Sequence, residues 1–142
     1  MENETVRFEH AISAKQFLAL RESVGFQKLT AEQAEKALRG TALLITADCG
    51  GENVGIVRVL TDGVTDAYLT DVIVRPDFQG KGLGRKLLER TISEMKQMPF
   101  MAGHLACTLY ANPGKDTFYE KFGFRQLPDG GYGYGMILEL RP

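Results

Sequence analysis

The residues whose spacing carries the most chemistry run from Val74 to Arg85, Val-Arg-Pro-Asp-Phe-Gln-Gly-Lys-Gly-Leu-Gly-Arg. Glycines at 80, 82 and 84 leave no Cβ between the backbone and a ligand. The stretch leads from an apolar strand into an amphipathic helix. The free N–H groups of that helix's first turn point at the same space, and its dipole adds partial positive charge. Together these features suit a pyrophosphate, and Lys81, Arg85 and Lys86 add charge at the rim. Two other nucleotide patterns are absent: GxGxxG would place its third glycine at Arg85, and there is no GxxxxGK followed by Ser or Thr. The competing reading is a helix start that merely needs tight packing. Three alternating glycines weigh against it, since each forfeits about 0.5–1 kcal/mol relative to alanine in helical positions.

Other side chains stand out singly. Asp71 is a carboxylate in an otherwise apolar strand, where burial raises a pKa; Asp66 and Glu22 are further carboxylates of interest. Phe118 and Phe122, at i,i+4, fix the buried face of a short helix, and Tyr119 is turned about 100° from Phe118. On spacing alone Tyr119 is equally a functional phenol or a boundary residue. Asn112 reads either as a ligand-binding amide or as a polar cap before Pro113. His10 and His104 have no partners at metal-ligand spacing, so no metal is expected. Cys49 and Cys107 form no CxxC pair, which fits reduced thiols in a cytoplasm.

The elements that must position these groups alternate between period 2 and period 3.6. Thr5–Glu9 reads as a strand, Ser13 caps a helix carrying Phe17 and Leu20, and Thr30 with Gln33 forms a capping box. Leu43–Ala47 and Val54–Leu60 are strands around the turn at Cys49–Asn53, and Ala67–Val74 is a third long strand. Leu83, Leu87, Leu88, Thr91, Ile92 and Met95 form the buried stripe of a long helix. His104–Tyr110 is a strand, and Gly123 ends the helix that Pro113 opens. Phe124–Leu127 and Met136–Leu140 are two last strands, joined by a glycine-rich segment holding Tyr132 and Tyr134. The prediction is a mixed α/β chain of the α+β kind: one domain over residues 1–142, helices on both faces of the sheet.

Composition narrows the function. The 142 residues carry 17 Lys plus Arg against 18 Asp plus Glu, a net charge of −1, which argues against a nucleic-acid binder. No apolar run approaches a membrane span of ~20 residues, and the acidic start lacks a signal-peptide core, so a cytoplasmic location is expected.

Gln79-Gly80-Lys81-Gly82-Leu83-Gly84, with Val74-Arg75-Pro76 before it, resembles the acyl-CoA signature of the GNAT N-acetyltransferases. Asn112 followed by Phe118-Tyr119-Glu120-Lys121-Phe122-Gly123-Phe124 resembles the family's second motif, and the order of elements agrees over almost the whole chain. Gly55-Ile56-Val57-Arg58, Asp62-Gly63 and a late Gly-Met at Met136 are similar to small bacterial members and plastid amine acetyltransferases. The resemblance implies a mostly antiparallel sheet of about seven strands, splayed between the fourth and fifth, with pantetheine in the gap.

It also implies acetyl-CoA as donor substrate and a small-molecule amine as acceptor, joined by direct attack in a ternary complex. Backbone amides of Val72, Ile73 and Val74 would hold the acetyl carbonyl and pantetheine. Amides from Gln79 through Gly80, Lys81, Gly82, Leu83 and Gly84 to Arg85 would hold the pyrophosphate, and Asn112 would bind CoA. Tyr119 is the candidate general acid for the thiolate, a phenol of pKa near 10 being a sensible proton source, and Asp71 the candidate base, with a water chain as its competitor. Acceptor specificity is expected at Val24-Gly25-Phe26 or at Tyr132 and Tyr134. Two further readings are an acyl-CoA-binding regulatory module without turnover and a protein or peptide N-acetyltransferase. A terminal edge strand invites pairing, so a homodimer is a further expectation.

Overall fold

The computed structural model describes residues 5–99 and 103–142. In chain order the elements are β1 (Val6–Glu9), α1 (Ala14–Ser23), α2 (Ala31–Arg39), β2 (Leu43–Cys49), β3 (Glu52–Thr61), β4 (Asp66–Val74), a 3-10 turn (Pro76–Phe78), α3 (Leu83–Met95), β5 (Ala106–Thr108) and α4 (Asp116–Glu120). They fall into two compact units, Met1–Leu109 and Tyr110–Pro142.

The first unit holds one sheet in the order β1-β2-β3-β4-β5. β1 to β4 pair antiparallel, and β5 joins β4 in parallel. The caps form as the sequence predicts. Ser13 Oγ accepts the Gln16 N–H at 3.1 Å, and Thr30 and Gln33 bond reciprocally at 2.9 and 3.1 Å.

Adjacent strand residues point to opposite faces, and both faces of β3 are used. Ile56 packs with Phe17 and Leu20 of α1, Ala34 of α2 and Ile73 of β4. Gly55 faces α3 instead: a Cβ there would lie 2.8 Å from Leu87 Cδ1 and 3.3 Å from the Ile73 carbonyl. Helices therefore cover both faces. Leu83, Leu87, Leu88, Thr91 and Met95 of the expected α3 stripe are buried, with Ile92 partly so.

The sheet has five strands, not about seven. Phe124–Leu127 and Met136–Leu140 form no strand; between Phe124 and Pro142 there is one isolated bridge, Asp129 to Tyr132. The reason is the absence of a ladder. Alternation favours an extended chain, but a strand also needs a partner for its backbone. Met136, Leu138 and Leu140 instead stand at 87%, 82% and 87% exposure. β5 is likewise shorter than the expected His104–Tyr110 strand, and α4 is a single short helix.

Candidate active site

The glycine loop joins β4 to α3 and is tied down at its start. Arg75 N–H donates to the Val54 carbonyl at 2.8 Å, and Phe78 N–H to the Arg75 carbonyl at 2.8 Å. The Gln79 side chain donates Nε2–H to the Val74 carbonyl at 2.8 Å, so Gln79 closes the loop onto the strand end. Gly80 (φ 77°) and Gly82 (φ 82°) are left-handed, a region closed to most residues with a Cβ. A Cβ on Gly80 would meet nothing within 4 Å, and on Gly82 only Arg85 Nη2 at 3.9 Å. The space above both glycines is thus open.

Gly82 is the N-cap of α3, and the helix ladder begins only where Lys86 N–H reaches the Gly82 carbonyl at 3.2 Å. The amides of Leu83, Gly84 and Arg85 precede that bond, so helix geometry gives them no intrahelical acceptor. They form one open cradle of donors for an anion. Arg75 bonds Asp77 at 2.7 Å and Glu52 at 2.8 Å, and the Asp77 carboxyl is held below its ordinary pKa by that bond. The Phe78 ring lies under both Arg75 and Lys81, at 5.1 and 5.2 Å. Arg85 points along the helix to Glu89 at 3.3 Å.

The strand leading in is irregular where it matters. Ile56 pairs with Ile73 and Arg58 with Thr70, so Asp71 and Val72 together oppose Val57. This is a β-bulge. Asp71 takes φ 47° within it, the one described residue other than glycine with positive φ. The ladder with β5 covers only Asp66, Ala67 and Tyr68. From Leu69 to Val74, across the bulge and through Val72, Ile73 and Val74, the backbone has no partner in β5.

Asp71 is buried, and both of its oxygens are engaged: Arg21 Nη1 reaches Oδ1 and Arg58 Nε reaches Oδ2, each at 2.8 Å. No short sequence pattern links either arginine to Asp71. Asp62 has a different task. It accepts the Val64 and Thr65 amides and the Thr65 hydroxyl at 2.6–2.9 Å, and these bonds, that hydroxyl's above all, hold its carboxyl far below the usual range. Arg21 also lines a cleft of about 210 Å³ with Leu18, Phe26 and Leu29 as apolar walls and Glu22 and Lys28 beside them. This cleft contains Phe26 of the expected acceptor segment. Asp66, the other carboxylate of interest, starts β4, and its carbonyl accepts the Thr61 hydroxyl at 2.6 Å.

Asn112 and Tyr119 belong to the second unit. The Asn112 carbonyl accepts the Lys115 amide at 2.9 Å in the turn before α4. The Tyr119 ring packs edge-on against Phe118 at 5.1 Å and Phe124 at 5.9 Å, and burial raises its phenol above the ordinary value of 10.0. Phe118 and Phe122 are in edge contact at 5.3 Å. The first unit thus gathers Asp71, Val72 to Val74 and Gln79 to Arg85 on one strand-loop-helix run, and the second carries the aromatic cluster around Tyr119.

Residues 39–126 match an acetyltransferase (GNAT) domain. The chain is 33% identical over 115 residues to an uncharacterised N-acetyltransferase of Pyropia yezoensis, covering 78% of this chain and 64% of that protein. It therefore spans less than two thirds of that relative's length. It is 31% identical over 137 residues to a chloroplastic GCN5-related N-acetyltransferase of Arabidopsis thaliana, covering 95% of this chain and 68% of that one. Among solved structures, a probable acetyltransferase of Staphylococcus aureus superposes with a TM-score of 0.81 at 28% identity, covering 96% of this chain and all of that one.

Proposed function

The chain belongs to the GNAT N-acetyltransferase family, and from that premise we propose that it transfers the acetyl group of acetyl-CoA to a primary amine of a small molecule, by direct attack in a ternary complex. The observation that carries this reading is the left-handed glycine pair at 80 and 82, set where β4 hands over to the N-terminus of α3. Open space over both glycines and a first helical turn of free donors fit a pyrophosphate.

Transfer needs a polarised carbonyl, a neutral amine, whose ammonium proton leaves to solvent through a water chain, and a proton for the departing thiolate. Preorganised backbone donors at Val72 to Val74 answer the first need, and the absence of a β5 partner there supports their use. Tyr119 answers the third: burial keeps its proton on through neutral pH and beyond, as a general acid requires. Asn112 adds an amide for CoA. The acceptor enters the cleft beside Phe26, whose apolar walls suit a small apolar body and whose Arg21 and Lys28, against the one carboxylate of Glu22, favour an amine in its neutral, nucleophilic form.

The test is thermal unfolding with acetyl-CoA, and with NAD and ATP as controls. A ligand at roughly 100 times its Kd adds about 2.7 kcal/mol, which for a chain of this size is several degrees. A shift with acetyl-CoA alone is expected, followed by thiol release on screening primary amines. No shift with acetyl-CoA would overturn the reading.

A further inference from the structure

Left-handed bulge positions normally go to glycine, which has no Cβ to clash. Position 71 carries an aspartate there instead, at φ 47°. Asp and Asn tolerate this region best among the other residues, yet it remains uncommon for them. Something else must select the side chain, and the structure provides it. The carboxylate bridges Arg21 of α1 and Arg58 of β3, each at 2.8 Å, and its own side chain is only 5% exposed.

Each guanidinium is itself anchored. Arg58 Nη1 donates to the Thr41 hydroxyl at 2.9 Å and to the Ala37 carbonyl at 3.2 Å, at the end of α2. Arg21 Nη2 donates to the Gln27 carbonyl at 3.0 Å. Both lie over the Phe17 ring, at 5.7 and 5.4 Å, and Arg21 also lies 5.6 Å from Phe26. The bulge is thus fastened by one carboxylate to α1, to the end of α2 and to β3. With its side chain only 5% exposed and each oxygen already accepting from a guanidinium, that carboxylate offers little surface to a substrate ammonium.

Resting on the donor reading above, we propose that Asp71 is a positioning residue: with Arg21 and Arg58 it fixes the β4 bulge, so that the backbone at Val72 is held where the acetyl carbonyl of the donor needs it. Asp71 acts on the reaction through that backbone and takes no proton. Glycine adopts φ 47° freely but carries no carboxylate, so Asp71→Gly removes the brace without straining the backbone.

The experiment compares Asp71→Ala, Asp71→Gly and Asp71→Asn with the parent chain by calorimetric titration with acetyl-CoA and, separately, with CoA, which lacks the carbonyl. The readout is the ratio of the two Kd values, which a general loss of stability leaves unchanged. Asp71→Gly and Asp71→Ala, which both lose the brace, should each lower the preference for acetyl-CoA at least fivefold, while Asp71→Asn, which tolerates φ 47° and keeps a side-chain acceptor for one arginine, stays within fivefold of the parent. A ratio unaltered in Asp71→Gly overturns the proposal. Should Asp71→Ala not fold, the other two decide: the ratio lost in Asp71→Gly and kept in Asp71→Asn supports the brace, and any other pattern refutes it. A parent chain that binds neither CoA nor acetyl-CoA removes the donor reading, and this inference with it, an outcome distinct from any change among the variants.

Discussion

Arg58 Nε lies 2.8 Å from Asp71 Oδ2, although the backbones of the two residues are not partners: Arg58 pairs in register with Thr70. The ion pair therefore crosses the bulge. Its surroundings decide its worth. The Arg58 and Asp71 side chains are 11% and 5% exposed, so removing one partner leaves a charge poorly solvated. Arg58→Ala should destabilise the chain by about 3 kcal/mol, the low end for a broken buried pair because Arg21 still holds Asp71. Arg75 is the contrast. It bonds Glu52 at the same 2.8 Å, but Glu52 is 69% exposed, and Arg75→Ala should fall within about 1 kcal/mol. Urea unfolding of both variants checks the pair; equal losses would show that burial does not separate the two.

Gly55 marks the closest approach of α3 to the sheet. A methyl group there would sit 2.8 Å from Leu87 Cδ1, with the Ile73 carbonyl at 3.3 Å blocking retreat. Gly55→Ala should cost about 1–3 kcal/mol by overpacking, a drop of several degrees in Tm. In the double variant Gly55→Ala/Leu87→Ala the two losses should be less than additive, because each change relieves the other. Strict additivity of the melting data would mean that Leu87 is not the obstacle.

The features legible in the sequence were those with local signals. Ser13, Thr30 and Gln33 cap helices through bonds three residues long, and the Leu87-Leu88-Thr91-Met95 stripe repeats within α3 itself. The glycine loop was legible for the same reason, since its neighbours in space are its neighbours in the chain. Pairing over distance was not. Arg21 lies 50 residues from Asp71 and Arg58 lies 13 away, and no short pattern announces either bond. The surplus strands have the same origin. Met136–Leu140 alternates like a strand, but alternation says nothing about whether a ladder receives it.

Burial pushes the Cys107 thiol from 9.0 up to about 11. The protonated form is favoured in the folded chain, so above pH 9 the unfolded chain binds fewer protons than the folded one. Stability is then full below pH 9 and falls as pH rises toward 11. Cys107→Ala should remove that part of the alkaline decline. The thiolate is the nucleophile, so at pH 8 iodoacetamide should label Cys107 in the native chain roughly 100-fold more slowly than in urea, as two pKa units require. Peptide mass spectrometry over time reads the difference, and equal labelling rates would show the thiol to be exposed and unperturbed.

Gly82 offers the sharpest separation of folding from binding. Its φ of 82° is strained for alanine whatever space surrounds it, and the nearest atom to a new Cβ, Arg85 Nη2, is 3.9 Å away at the end of a flexible side chain. The stability loss in Gly82→Ala should therefore be the conformational term alone, about 1–2 kcal/mol, and the fold should survive. The binding loss should be larger in kind. The methyl group would occupy the open space over the loop, and a shift of the N-cap would turn the Leu83 to Arg85 amides away from their anion. Because the pyrophosphate is common to both molecules, affinity for CoA and acetyl-CoA should fall together, by at least tenfold, with their ratio unchanged. That pattern is the opposite of the one expected for Asp71→Ala, where the ratio moves. Calorimetric titration of a folded Gly82→Ala chain that bound CoA as tightly as the parent would place the anion elsewhere.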